Sequence, residues 1–269
     1  MRRNSDLDYS VLDRPEVLEF VFYPRRDWTE APAGSTDHMV QVEDGVSLSC
    51  RFYFASLSLP SILFFHGNGE LACDYDSIAP MYKKLGVNLF VADYRGYGLS
   101  GGRPTISHLM SDSHRVYRYF RDMLRDQRHT GGVLVMGRSL GSYPAVELAH
   151  GYQDGGLKGL IIESGFSSVA RLLANLGLPL QLPGLDDLDR GHMDKVRSIR
   201  MPALVIHGEW DLLVPFQEGR DLYDGLGSSY KRLFAIPGAG HNDIMLVGMD
   251  DYFSAIKDFV LRFSREKNG

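Results

Sequence analysis

The stretch Val133-Leu134-Val135-Met136-Gly137-Arg138-Ser139-Leu140-Gly141 decides how this chain is read, together with the helix-compatible residues 143–149 behind it. A compact apolar run enters a serine flanked by glycines, and an amphipathic segment leaves it. A nucleophilic serine needs that context. A sharp turn between strand and helix holds its oxygen clear of the sheet, and the next backbone N–H points at a reacting carbonyl. Glycine on either side lets strand and helix approach closely. The same G-x-S-x-G pattern recurs at Gly98-Leu99-Ser100-Gly101-Gly102, but in a glycine-rich loop closed by Pro104, with no strand running directly into it. Ser139 is therefore the candidate nucleophile, and Ser100 belongs to a turn.

On both sides of this turn, short apolar runs recur at 61–65, 87–92, 132–136, 159–162, 203–206 and 232–236, bounded by Gly, Pro or polar residues. Helical spacing fills the gaps between them. Leu109, Val116, Tyr119, Phe120, Met123 and Leu124 share one face, with Arg115, Arg118, Arg121 and Asp122 on the other. Short apolar strands alternating with amphipathic helices predict an α/β fold, a mostly parallel sheet covered on both faces. Ahead of it, 38–44 and 46–54 alternate as strands around Glu43-Asp44-Gly45 and predict an antiparallel hairpin. Residues 1–37 read as an N-terminal extension whose apolar patch at 20–23 is a short strand or an anchor. The rest, 38–269, reads as one domain. Residues 167–200 hold Leu172, Leu173, Leu176, Leu178, Leu180 and Leu182, then the acidic run Asp186, Asp187 and Asp189. They are long for one crossover helix and read as a small insertion in place of a full lid, with an apolar face near Ser139.

A nucleophilic serine needs a base, an acid that orients the base, and donors for the developing oxyanion. Among the nine histidines, His241 follows the last apolar run in the loop Gly238-Ala239-Gly240-His241-Asn242-Asp243 and is the candidate base. His66 and His207 each end a strand before a glycine and read as structural. The other six, His192 among them, read as surface residues. Asp211, just past His207-Gly208, is the candidate acid, with Glu163 at the end of 159–162 as its rival; Asp243 is too near His241 in sequence to be favoured. The oxyanion donors are expected from the backbone N–H groups of Asn68 and Leu140, with His66-Gly67-Asn68-Gly69-Glu70 opening a helix. Gly96-Tyr97-Gly98-Leu99-Ser100-Gly101 also matches G-x-G-x-x-G, but Asp122, at the spacing a dinucleotide site needs, falls mid-helix and not at a strand tip.

These marks jointly resemble the α/β-hydrolase superfamily over roughly residues 38–265: His66-Gly67-Asn68-Gly69, Asp93-Tyr94-Arg95-Gly96-Tyr97-Gly98, the Ser139 turn, His207-Gly208 through Asp211 and Val214-Pro215, and the His241 loop. The nearest branches are the lid-poor α/β-hydrolase-domain enzymes, which include protein depalmitoylases, and the serine-aminopeptidase-like group. The resemblance implies Ser139 as nucleophile, Asp211 as acid, His241 as base, and Asn68 and Leu140 as oxyanion donors. Depalmitoylating members carry an N-terminal cysteine cluster. This chain has no cysteine before Cys50, so no stable membrane anchor is expected.

Composition narrows the class. Against 29 Lys+Arg stand 34 Asp+Glu, a net charge of −5 without a basic run, which argues against a nucleic-acid partner. No apolar stretch approaches the ~20 residues of a membrane span. MRRNSDLDYS has no apolar h-region, and Cys50 and Cys73 make neither a disulfide framework nor a zinc site. The expectation is a cytoplasmic serine hydrolase acting on a small-molecule ester or thioester through an acyl-enzyme, with no metal or organic cofactor. It should favour short to medium acyl groups. The alternatives are an aminopeptidase or amidase, and a binding module that keeps the fold without turnover.

Overall fold

The computed structural model describes residues 7–179 and 181–264. Its centre is an eight-stranded sheet in the order β1-β2-β4-β3-β5-β6-β7-β8. β1 (Ser35–Glu43) and β2 (Val46–Tyr53) form the expected antiparallel hairpin, and β2 is also antiparallel to its other neighbour, β4 (Asn88–Ala92). β3 (Ser61–Phe65), β5 (Val133–Arg138), β6 (Gly159–Glu163), β7 (Ala203–Gly208) and β8 (Lys231–Ile236) run parallel to one another and to β4. The central strands are buried on both faces, which is why they read as continuous apolar runs. Successive residues serve opposite sides: Leu63 and Phe65 join one core, Ile62 and Phe64 the other.

The helices divide between those cores. α1 (Pro15–Val21), α3 (Ile106–Asp126), α4 (Ser142–Tyr152), α5 (Val169–Asn175), α6 (Leu185–Ser198) and α7 (Phe216–Gly225) pack on the Leu63 side. α2 (Ala79–Lys84), the short α8 (Ile244–Val247) and α9 (Met249–Phe263) cover the other. Among the described residues no helix is long and apolar enough to cross a membrane. Strand order turns back at β3, which lies between β4 and β5. The loops leaving the C-terminal ends of β3 and β5 are therefore neighbours, as open α/β sheets require for a site.

Two local expectations change. The patch at 20–23 is not a strand: Phe20 and Val21 close α1, and Phe22, buried in the core, and Tyr23 lead out of it and tie the segment down. Pro15 suits the first turn of a helix, and Val17, Phe20 and Val21 stand at i, i+3 and i+4, on one helical face. Within 167–200, α6 is the crossover between the parallel neighbours β6 and β7, so α5 is the extra element. Leu180 lies outside the described residues.

Candidate active site

The β5 turn is shaped by what its glycines allow. Ser139 has φ +50°, a left-handed conformation strained for a residue with a side chain. A Cβ on Gly137 would collide with the Gly141 carbonyl, and one on Gly141 with the Phe65 carbonyl. Both close approaches are backbone on side chain, so neither glycine has a substitute. The reward is position: Ser139 stands at the mouth of the sheet with its side chain turned towards the β7 and β8 loops.

There His241 Nε2 lies 3.0 Å from Ser139 Oγ, and His241 Nδ1 lies 2.7 Å from Asp211 Oδ2. An ionised carboxylate only accepts, so Nδ1 carries the proton and Nε2 is free to accept from the serine. Burial works against the Asp211 charge. Hydrogen bonds from His207 and His241, and from the Val214 N–H, outweigh it and hold this carboxyl well below the usual range. Its second oxygen, Oδ1, accepts from the backbone N–H groups of Leu213 and Val214 at 3.0 and 2.7 Å. Asp211 is thus fixed by its own loop before it meets the imidazole. The His241 loop is shaped likewise: the Gly240 N–H donates to Asp243 Oδ1 at 2.6 Å. Asp243 has a structural part, not the acid's place.

Asn68 and Leu140 border the same cavity as Ser139. Residues 66–71 form a loop, and the first helical turn, a 3-10 segment, begins only at Ala72. The expectation that His66–Glu70 opens a helix is therefore corrected. Side chains hold the loop instead. Asn68 Oδ1 accepts from Tyr97 Oη at 2.7 Å and from the Tyr23 N–H at 2.9 Å, and Glu70 Oε2 accepts from the Gly67 N–H at 2.8 Å. The cavity measures about 90 Å³. Its walls are apolar: Ile106 and Leu109 from α3, Leu172 and Leu173 from α5 and Leu176 just after it, with Phe166 and Val214. Leu178 and Leu182 pack against the core without reaching it, so only part of the expected leucine face meets the site. No carboxylate borders it among the described residues.

Known proteins are similar to this chain in sequence and in fold. Residues 59–184 match the family model described as serine aminopeptidase, S33. Human alpha/beta hydrolase domain-containing protein 17B is 30% identical over 234 residues, covering 82% of this chain and 74% of that protein. The chain belongs to the α/β-hydrolase superfamily. Protein bem46 of Schizosaccharomyces pombe is 31% identical over 212 residues, covering 76% of this chain and 68% of that one. The solved Pyrococcus furiosus esterase Pf2001 shares the fold, with a TM-score of 0.73 at 19% identity over 90% of this chain and 100% of its own.

In this α/β-hydrolase the rejected candidates have other work. Glu163 Oε1 accepts from Arg138 Nε at 3.1 Å and its Oε2 from Tyr252 Oη at 2.7 Å, away from the imidazole's Nδ1. Ser100 is fully buried and accepts from the Ser49 N–H at 2.9 Å. Asp122 pairs with Arg125 on α3. His66 and His207 donate to the carbonyls of Gly67 and Val214, as structural histidines. His192 corrects the surface reading: it is buried and stacks on Tyr143 at 3.9 Å, and burial holds its imidazole at about 3. Sequence reasoning also missed Arg138, the variable residue of the serine turn. Buried, it donates to His241 O at 2.8 Å and to Asn242 Oδ1 at 3.2 Å, and it pairs with Glu70 and Glu163. One guanidinium thereby ties the ends of β3, β5, β6 and β8. A charged residue directly before Ser139 was the available signal.

Proposed function

We propose that this hydrolase cleaves carboxylic esters or thioesters through a covalent acyl intermediate on Ser139. As the serine attacks, its proton moves to His241 Nε2, and Asp211 stabilises the imidazolium that forms. The backbone N–H groups of Asn68 and Leu140 hold the tetrahedral oxyanion, the role worth most in acyl transfer. The imidazolium then protonates the leaving alcohol or thiol. Water, activated by the same imidazole, releases the acid and restores the serine. The observation that carries the choice of bond is the Ser139–His241–Asp211 chain opening on an uncharged apolar cavity. The family model's description favours an aminopeptidase, but an aminoacyl substrate brings an α-ammonium. Desolvating that charge without a partner is costly, and among the described residues no carboxylate borders the cavity to meet it.

The test pairs p-nitrophenyl butyrate with an aminoacyl p-nitroanilide and follows labelling by a fluorophosphonate. Ester turnover with a burst of p-nitrophenol, and a labelled Ser139 peptide, are expected. Nitroanilide turnover equal to that of the ester would move the enzyme to the peptidases. An unlabelled Ser139 in folded protein would make the chain a binding module.

A further inference from the structure

The acyl cavity has a wall that the family match does not include. Four of its lining residues, Leu12, Val17, Phe20 and Val21, come from the N-terminal segment, ahead of the matched residues 59–184. Leu12 and Val17 are fully buried, whereas Phe20 and Val21 are half-buried at the cavity's edge. The segment is tied down at both ends. Before α1, Asp13 Oδ1 accepts from the backbone N–H groups of Ile106 and Ser107, at 2.7 and 3.2 Å, at the start of α3. Behind α1, the Tyr23 N–H meets Asn68 Oδ1, and Arg25 donates to Gly69 O at 3.1 Å and to Asp74 at 2.7 Å. The Gly98 N–H donates to Arg25 O at 2.8 Å. With anchors on either side, α1 is a fixed wall and not a swinging lid. Its rear anchor is the loop that carries a proposed oxyanion donor.

We propose that α1 is the acyl-length ruler of this enzyme, closing the pocket in cis so that Ser139 accepts acyl chains of only a few carbons. The inference rests on Ser139 being the acylated residue. A dry cavity of about 150 Å³ holds the six carbons of benzene. On that scale the roughly 90 Å³ here holds about four carbons beyond the carbonyl. Each methylene within that limit gains about fourfold in kcat/KM, and each one beyond it meets the α1 wall and finds no further room. Phe20 sets the limit because it is the largest side chain that α1 lends to the cavity, and its half-exposure lets it change without emptying the core.

The experiment measures kcat/KM for p-nitrophenyl acetate, butyrate, hexanoate, octanoate and decanoate with wild type, Phe20→Ala and Phe20→Trp. Wild type should peak near butyrate or hexanoate and fall by decanoate. Phe20→Ala should move the peak about two carbons longer, a gain of roughly 15-fold on the longer ester relative to acetate. Phe20→Trp should move it shorter. Labelling rates with alkyl fluorophosphonates of matching lengths repeat the comparison without turnover and should shift in the same direction. A profile identical in all three folded proteins overturns the ruler while leaving the serine hydrolase intact. So does a wild-type optimum at decanoate. Labelling and turnover that survive Ser139→Ala would instead overturn the nucleophile, and the ruler with it.

Discussion

Ser139 and Ser100 occupy the same five-residue pattern, and each lies near an aspartate and a histidine. Around Ser139 the order of contacts is hydroxyl, imidazole, carboxylate. Around Ser100 it differs. Its hydroxyl lies 3.2 Å from Ser49 Oγ, Ser49 donates to Asp93 Oδ2 at 2.5 Å, and Asp93 Oδ1 lies 3.3 Å from His66 Nε2. The carboxylate stands between the hydroxyls and the imidazole, so no base reaches Ser100, and its full burial admits no substrate. The glycines differ in purpose too. Gly137 and Gly141 let helix and strand backbones cross, whereas Gly98 makes room for the Asp93 carboxylate. The pattern names residue types; the strand running into it decides the order in which they touch.

The largest test of that difference removes each hydroxyl. Ser139→Ala should lower kcat by about 10⁶, the scale of a deleted serine nucleophile. Ser100→Ala should leave the rate of folded enzyme unchanged and cost about 1–3 kcal/mol in urea denaturation, because the buried Ser49 N–H loses its acceptor. Equal activity losses in the two variants would erase the distinction. Next come the acids. Asp211→Asn should cost about 10⁴ in kcat. Glu163→Gln should act on stability, since it strips a buried partner from Arg138, a class of loss of about 3–5 kcal/mol. A crippled Glu163→Gln beside an active Asp211→Asn would transfer the acid's role to β6.

The smallest effect is a pH slope. Burial alone would lower the His66 pKa, but the Asp93 carboxylate, helped by Glu70, raises it on balance. A base whose folded pKa is raised contributes stability that is complete below its unfolded value of about 6.5 and lost as pH rises through the folded one. The urea midpoint should therefore fall on moving from mildly acidic to mildly alkaline buffer. Asp93→Asn should flatten that segment. A slope unchanged in Asp93→Asn would remove the electrostatic half of the comparison between the two clusters.

Much of the fold was legible because buried strands announce themselves. Ser61–Phe65 matches its apolar run residue for residue, and β5 extends its run by Gly137 and Arg138 into the serine turn. The hairpin and the alternation of strand and helix follow equally from pattern. Less legible were the segments whose partners lie far along the chain. At 20–23 only the strand alternative fails, because Phe20 and Val21 close a helix and line the cavity beside residues of α3 and α5 and Asn68. The loop at 66–71 was read as a helix start because glycines there suggest a βα turn, while the groups that shape it, Tyr23, Tyr97 and Arg138, are distant in sequence. His192 looked exposed because a lone histidine in an acidic helix gives no hint of an aromatic ring from α4 above it.

The sequence by itself determined the sheet, the strand that carries Ser139, and the residue types gathered at the strand ends. Those depend on local periodicity, glycine geometry and chain order, which are written in consecutive residues. Tertiary structure alone decided that His241 and Asp211 meet Ser139 in that order, that Arg138 binds four strand ends together, and that α1 walls the cavity. Each of these is a contact between segments tens of residues apart, set by the twist and order of the sheet. A linear pattern carries no record of that distance.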